Sequence, residues 1–202
     1  MTIRKLFFLF WTTLAVGTVT APLAGLAVEG VFGPLGLDLV RRLWAGVMFG
    51  AVAQMGFFAY MVFNMVAKGF LRNPAVYQGM QLLLTLVILI QTWMVSGANS
   101  GTMQVGAGPW VLPLTIFFVG VVVAWFKARA TQSSAFIPAL FFMVAATVLE
   151  AIPSLEQRSF PMIMLMVLTL LACNAWQIMQ LHRLLGSSEP SKQKSQTSRS
   201  GS

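Results

Sequence analysis

Six apolar runs alternate with short polar stretches along the chain, at about residues 6–28, 43–67, 76–95, 110–126, 135–152 and 160–181. Each is close to the ~17–25 residues that a helix needs to cross the hydrocarbon core of a bilayer. In that medium the backbone must satisfy its own hydrogen bonds, so the runs are predicted to be helices. Barrel strands would be about half as long and would alternate polar with apolar positions, which these runs do not. The predicted fold is an all-α integral membrane protein, a bundle of six transmembrane helices within residues 1–185. The first run follows Arg4 and Lys5. It exceeds the usual ~7–15 residues of a secretory signal core, so it reads as a retained span, although "APLAGLA" offers small residues for cleavage. The connecting stretches are 29–42, 68–75, 96–109, 127–134 and 153–159, and Pro74 suits the start of the third helix. Residues 186–202 are Ser- and Lys-rich without apolar residues, and are expected to form a disordered tail.

The polar positions inside the runs are the informative ones. In the second run Gly46, Gly50 and Gln54 recur every four residues, and so share one stripe of a helix. Gly56, Tyr60 and Asn64 form a second stripe on a nearly opposite side. Small residues at this spacing let helix backbones approach closely, and polar side chains then bond across the contact. A carboxamide turned to lipid would leave its donors and acceptors unpaired. The second helix is therefore expected to touch neighbours on two sides, near the bundle centre, and these six residues are candidates for helix packing or partner contact. The first run carries a matching ladder, Thr13, Gly17, Ala21 and Gly25. Gln81, Thr85 and Thr92 share a face of the third run, and Asn174, Gln177 and Gln180 lie along the sixth. Gln81, Thr85, Asn174 and Gln177 are candidates for a polar seam inside the bundle, either as interhelical glue or as a path for a small polar solute. Glue is the favoured reading, because no acid or base is expected at mid-membrane, where an ion or proton carrier usually needs one.

Composition agrees. Hydrophobic residues make up 57% of the 202 and charged residues 9%, against about 45–50% and about 25% in soluble domains, so a soluble fold could not cover its surface. The net charge of +8 raises the question of nucleic acid, but no basic stripe with interleaved aromatics lies outside the apolar runs, so no nucleic-acid partner is expected. With the amino terminus placed in the cytoplasm, Arg4, Lys5, Lys68, Arg72, Lys127, Arg129, Arg183, Lys192, Lys194 and Arg199 fall inside, and only Arg41, Arg42 and Arg158 fall outside. The positive-inside rule then puts both termini in the cytoplasm of a multi-pass protein of the cell membrane. Asp38, Arg41 and Arg42 sit together before the second span. Glu150, near the outer end of the fifth, is expected to reach water at the interface, with an arginine of 29–42 as the alternative partner.

Catalytic chemistry is not expected. No carboxylate pair has a suitable spacing, and no G-x-S-x-G, HExxH or phosphate-cradling glycine motif occurs. The lone Cys173 excludes an intrachain disulfide and a zinc cluster, and mid-span it reads as a buried, inert thiol. His182 beside Arg183 suits a helix C-terminus better than a metal site. The scattered methionines are packing material. No catalytic residue, metal or cofactor is assigned, and the oligomeric state is open, a homo-oligomer included.

The stretch Gln54–Tyr60, "QMGFFAY", with the following Asn64, resembles the KinB-signalling pathway activation proteins, the KbaA family, of spore-forming Gram-positive bacteria. Length, six-span layout and short basic inner segments are similar over roughly residues 1–183. The resemblance implies a plasma-membrane accessory protein needed for activity of a multi-span sensor histidine kinase that feeds the phosphorelay starting sporulation. It implies no reaction, and carries over only Gln54, Met55, Gly56, Phe57, Phe58, Ala59 and Tyr60, without a defined role. The rival class is a small polar-solute transporter or channel-like protein. A third is an assembly factor that stabilises another membrane protein.

Overall fold

A computed structural model describes residues 3–71, 73–99, 108–155 and 159–185. The expected disordered tail and Arg158 lie outside them, as do the side chains of His182 and Arg183. The described residues form six long helices and no strand: α1 (Ile3–Phe32), α2 (Leu39–Phe70), α3 (Pro74–Asn99), α4 (Val111–Ala130), α5 (Phe136–Leu155) and α6 (Phe160–Leu185), with a single 3-10 turn, Ser133–Ala135, before α5. All six are long and apolar enough to cross a membrane. Pro74 opens α3, where its missing N–H costs nothing.

The helices outrun the apolar runs that announced them. α1 and α2 consume most of the stretch 29–42, leaving a turn in which Gly33 and Gly36 adopt φ values of 94° and 66°, a left-handed conformation open to glycine at little cost. Arg41 and Arg42 consequently belong to the first turns of α2 rather than to a loop. Arg42 is buried, forms an ion pair with Glu29 of α1 and donates from Nε to the Leu37 carbonyl at 2.9 Å. Glu29 also accepts from the Leu35 N–H at 3.1 Å. The turn is thus tied through one carboxylate. Arg41 pairs with Asp38 at 3.2 Å, but both side chains are exposed, and such pairs contribute at most about 1 kcal/mol. Arg42→Ala should therefore lower the thermal unfolding midpoint of the purified protein clearly more than Arg41→Ala, since it removes a largely buried ion pair and the hydrogen bond to the Leu37 carbonyl together.

α5 and α6 form the centre. From Ala139 to Thr147 every residue of α5 is buried, and α6 buries Ile163 to Val167, Leu170, Leu171 and Cys173. A helix apolar all round is a buried helix. α2 touches α1, α5 and α6, so it has its neighbours on two sides, but it lies at the edge of that core rather than at its middle: Met48, Met55, Val62 and Met65 are exposed. The exposed side chains of α1, α3 and α4 are largely apolar too, among them Trp11, Leu26, Leu83, Ile90 and Phe118. An apolar exterior on this scale marks a surface made to be covered.

α1 and α2 run antiparallel with their backbones in contact. A Cβ at Gly17 would strike the Gly46 carbonyl, and one at Gly46 would strike the Gly17 carbonyl. A Cβ at Gly50 would come within 3.2 Å of the Leu14 Cα and the Thr13 carbonyl oxygen. The glycines let two helices approach more closely than any side chain permits.

Candidate functional site

The polar side chains gather into two clusters rather than one seam. In the first, Tyr77 of α3 donates its hydroxyl hydrogen to Asn64 Oδ1 of α2, and accepts from Gln81 Nε2 at 2.8 Å. Thr85 and Thr92 turn back to carbonyls of their own helix, those of Gln81 and Ile88, at 2.7 Å and 2.8 Å. Nearby, the Tyr60 hydroxyl donates to the Pro138 carbonyl of α5 at 3.3 Å, and its ring lies 4.7 Å from that of Phe142. Tyr77, which the sequence reading passed over, is the hub of this cluster. Tyr77→Phe would leave Asn64 without its donor and Gln81 without its acceptor. It should cost about 1–3 kcal/mol, read as a fall in the unfolding midpoint in detergent.

The second cluster joins α2, α5 and α6. Gln177 Nε2 donates to Gln54 Oε1 at 2.9 Å. Asn174 Nδ2 donates to Thr147 Oγ1 at 3.1 Å and to Glu150 Oε2 at 2.9 Å. No hydrogen bond among the described residues links it to the Tyr77 cluster. Gln54, Gln177, Asn174 and Thr147 are all buried. Beside them Cys173 is fully buried with its Sγ 3.9 Å from the Thr13 carbonyl, and Trp176 Nε1 donates to Thr12 Oγ1 at 3.2 Å.

Glu150 is the main correction to the sequence reading. Neither water at the interface nor an arginine of the α1–α2 turn receives it; Arg42 is taken by Glu29. Its carboxyl reaches Asn174, near the midpoint of α6, and lies against Gly56, near the midpoint of α2, so closely that a Cβ there would overlap Oε1. The reason is geometric. Long side chains on a helix point back toward its N-terminus, so the carboxyl sits deeper than its own Cα, level with Thr147. An acidic side chain therefore does lie halfway along the bundle.

Lys127 is a second correction. The sequence pattern puts it in the connecting stretch 127–134, but α4 continues to Ala130. Lys127 is buried there, with Nζ donating to the Ile178 carbonyl of α6 at 2.7 Å. A long aliphatic stem lets a cation be drawn in this way. Arg129 instead stacks over Trp125, 4.2 Å from the ring centroid.

The six candidates of α2 thus have partners within the chain: Gly46 and Gly50 meet α1, Gln54 meets α6, Gly56 and Tyr60 meet α5, and Asn64 meets α3. Among the described residues, no three His, Cys, Asp or Glu side chains cluster as a metal would require.

Comparison with known proteins settles the family. Residues 12–184 match the family model for KinB-signalling pathway activation in sporulation, KbaA. The chain belongs to the KbaA family. It is also similar to the KinB-signaling pathway activation protein of Bacillus subtilis (strain 168), 29% identical over 191 residues, which are 88% of this chain and 96% of the relative. No solved structure matches. The family match takes in the whole of both polar clusters, from Thr12 and Thr13 to Gln177, and the QMGFFAY stretch with them. Within this KbaA-family chain the stretch faces both ways: Gln54, Phe57 and Tyr60 are buried toward α5 and α6, while Met55 and Phe58 are exposed.

Proposed function

We propose that this chain is a non-enzymatic accessory protein of the cell membrane, multi-pass with both termini cytoplasmic, that activates a sensor histidine kinase pathway leading to sporulation. The kinase is its partner, and the contact is helix against helix in the bilayer. Membership of a family described by KinB-signalling pathway activation in sporulation is the observation that carries this reading. The geometry supports the contact mechanism. The polar and glycine stripes of α2 are engaged within the chain, so the bundle is a preformed body. Its exposed apolar faces on α2 and α3, Met48 and Met65 on one and Leu83, Leu86 and Ile90 on the other, are free to meet another protein's helices. Such a body shifts a kinase between states only by binding them unequally.

The test is a sporulation reporter in strains with and without this gene and the kinase gene, together with co-isolation of the two proteins from mild detergent. Activation that requires the kinase, and co-isolation lost on paired tryptophan substitutions at Leu83 and Leu86 with the protein level unchanged, is the expected result. Full activation by a variant that no longer associates would refute contact. A fall in kinase abundance in the deletion strain would favour stabilisation instead.

One feature favours the transport alternative, the acidic and carboxamide cluster at mid-bundle. Against it, the two polar clusters do not join. Cysteine placed at Thr85 should resist a water-soluble thiol reagent in intact membranes; rapid modification there would favour a hydrated pathway.

A further inference from the structure

Between α2, α3 and α5 lies a cleft of about 640 Å³, within the ~300–1,000 Å³ usual for small-molecule sites. Its walls are almost wholly apolar: Val52, Ala59 and Phe63 from α2, Leu84 and Ile88 from α3, and Ala145 from α5 are representative. α2 and α5 run antiparallel here, so Phe63 and Phe141 mark one end and Gly56 and Glu150 the other. The span from Phe141 to Glu150 is about 13 Å at ~1.5 Å rise per residue. Met55 and Leu149, both on the lining, are exposed, so the cleft opens sideways between helices onto the apolar exterior rather than toward an end of the bundle.

The polar cluster behind this wall has more unpartnered acceptors than donors, and Glu150 is its one member that lines the cleft. Glu150 Oε1, Asn174 Oδ1 and Gln177 Oε1 are buried acceptors without a hydrogen-bond partner, against one such donor group, Gln54 Nε2. Buried polar atoms without partners are rare and costly. Glu150 brings this imbalance to the cleft wall, and bare Gly56 leaves the carboxyl its room.

We propose that this cleft binds a small lipid-soluble amphiphile, one with a narrow apolar body and a hydrogen-bond-donating head, a protonated amine or a hydroxyl, seated on Glu150. The apolar walls hold the body, the lateral opening admits it from the bilayer, and the unpartnered Glu150 Oε1 receives the head. A carboxylate head can form no ion pair with Glu150, whereas an amine can, so the site ranks an amine above a carboxylate. The site is independent of the pathway role proposed above.

The test uses the full-length protein in lipid nanodiscs, with binding of decylamine, decanol, decanoate and decane read by native mass spectrometry. Decylamine and decanol should bind, with decylamine about tenfold or more tighter than decanoate. Glu150→Gln keeps an acceptor oxygen and should retain decanol while losing the preference for decylamine over decanoate. Ala145→Trp fills the cleft and should abolish binding of decylamine and decanol; if it fails to fold, Leu149→Trp at the mouth is read in its place. Equal binding of decylamine and decanoate, binding unchanged by both tryptophan variants, or no binding to the unmodified protein would overturn the proposal. So would crosslinking of the kinase from cysteine at Leu149 with no amphiphile bound, since a partner helix would then occupy the cleft.

Discussion

Gly46→Leu should abolish recovery of folded protein, while Gly79→Leu leaves it unchanged. The contrast rests on what a side chain meets at each position. At Gly46 even a Cβ would strike the Gly17 carbonyl and come within 2.8–2.9 Å of the Gly17 carbonyl carbon and the Thr18 Cα. All three are backbone atoms, so relief requires moving α1 as a whole. At Gly79 nothing lies within 4 Å, and leucine favours a helix over glycine by roughly 0.5–1 kcal/mol. Overpacking of a well-packed interior usually costs about 1–3 kcal/mol; a clash between rigid backbones belongs at or above the top of that range. The α1–α2 contact is also the most extensive helix pair in the bundle, and losing it would expose the polar atoms of Thr13 and Cys173 behind it. The check is the yield of monodisperse protein from detergent, together with the thermal midpoint. Equal recovery of the two variants would mean that the helices are not in backbone contact.

The second large effect is expected at Gly56. Gly56→Ala adds one methyl group where the Glu150 carboxyl lies, so the carboxyl must swing into the cleft and give up the hydrogen bond it accepts from Asn174, at a cost of about 1 kcal/mol. The diagnostic result is its coupling with Glu150. In the Glu150→Ala background the carboxyl is gone and the methyl group has room, so the same change should be close to neutral. A double-mutant cycle isolates that pairwise energy, and residues in contact couple by about 0.5–3 kcal/mol. Additive effects, with Gly56→Ala equally damaging in both backgrounds, would place the carboxyl elsewhere.

Much of the architecture was readable in the residues. Continuous apolar runs admitted helices and little else, and Pro74 announced the start of α3. The ladder Thr13, Gly17, Ala21 and Gly25 has the four-residue spacing of a face, and that face does meet α2 at Gly17, Gly25 and Thr13. What could not be read was the third dimension. Gln81 and Asn174 look alike along the chain, yet they belong to separate clusters, because one sequence does not order helix neighbours. Glu150 lies near the end of its apolar run, and position alone suggested the interface. Its depth depends on how α5 is staggered against α2 and α6, and on the backward tilt of its side chain. Lys127 misled in the same way: a lysine at the end of an apolar run usually marks a loop, but α4 goes on for another turn and delivers it to the Ile178 carbonyl. Tyr77 gave one usable signal, its place four residues before Gln81.

The stripes of α2 are turned inward, so the contact with a kinase proposed above would be made from the apolar exterior of the described helices. Photo-crosslinking in sporulating cells tests this most directly. A photoreactive residue is placed in turn at exposed positions of α2 and α3, such as Met48, Met65, Leu83, Leu86 and Ile90, and at buried Phe142 and Leu170. Crosslinks to the kinase from a continuous stripe of exterior positions, and none from the two buried ones, are the expected result. Normal pathway activation with no exterior position reaching the kinase would contradict activation by contact.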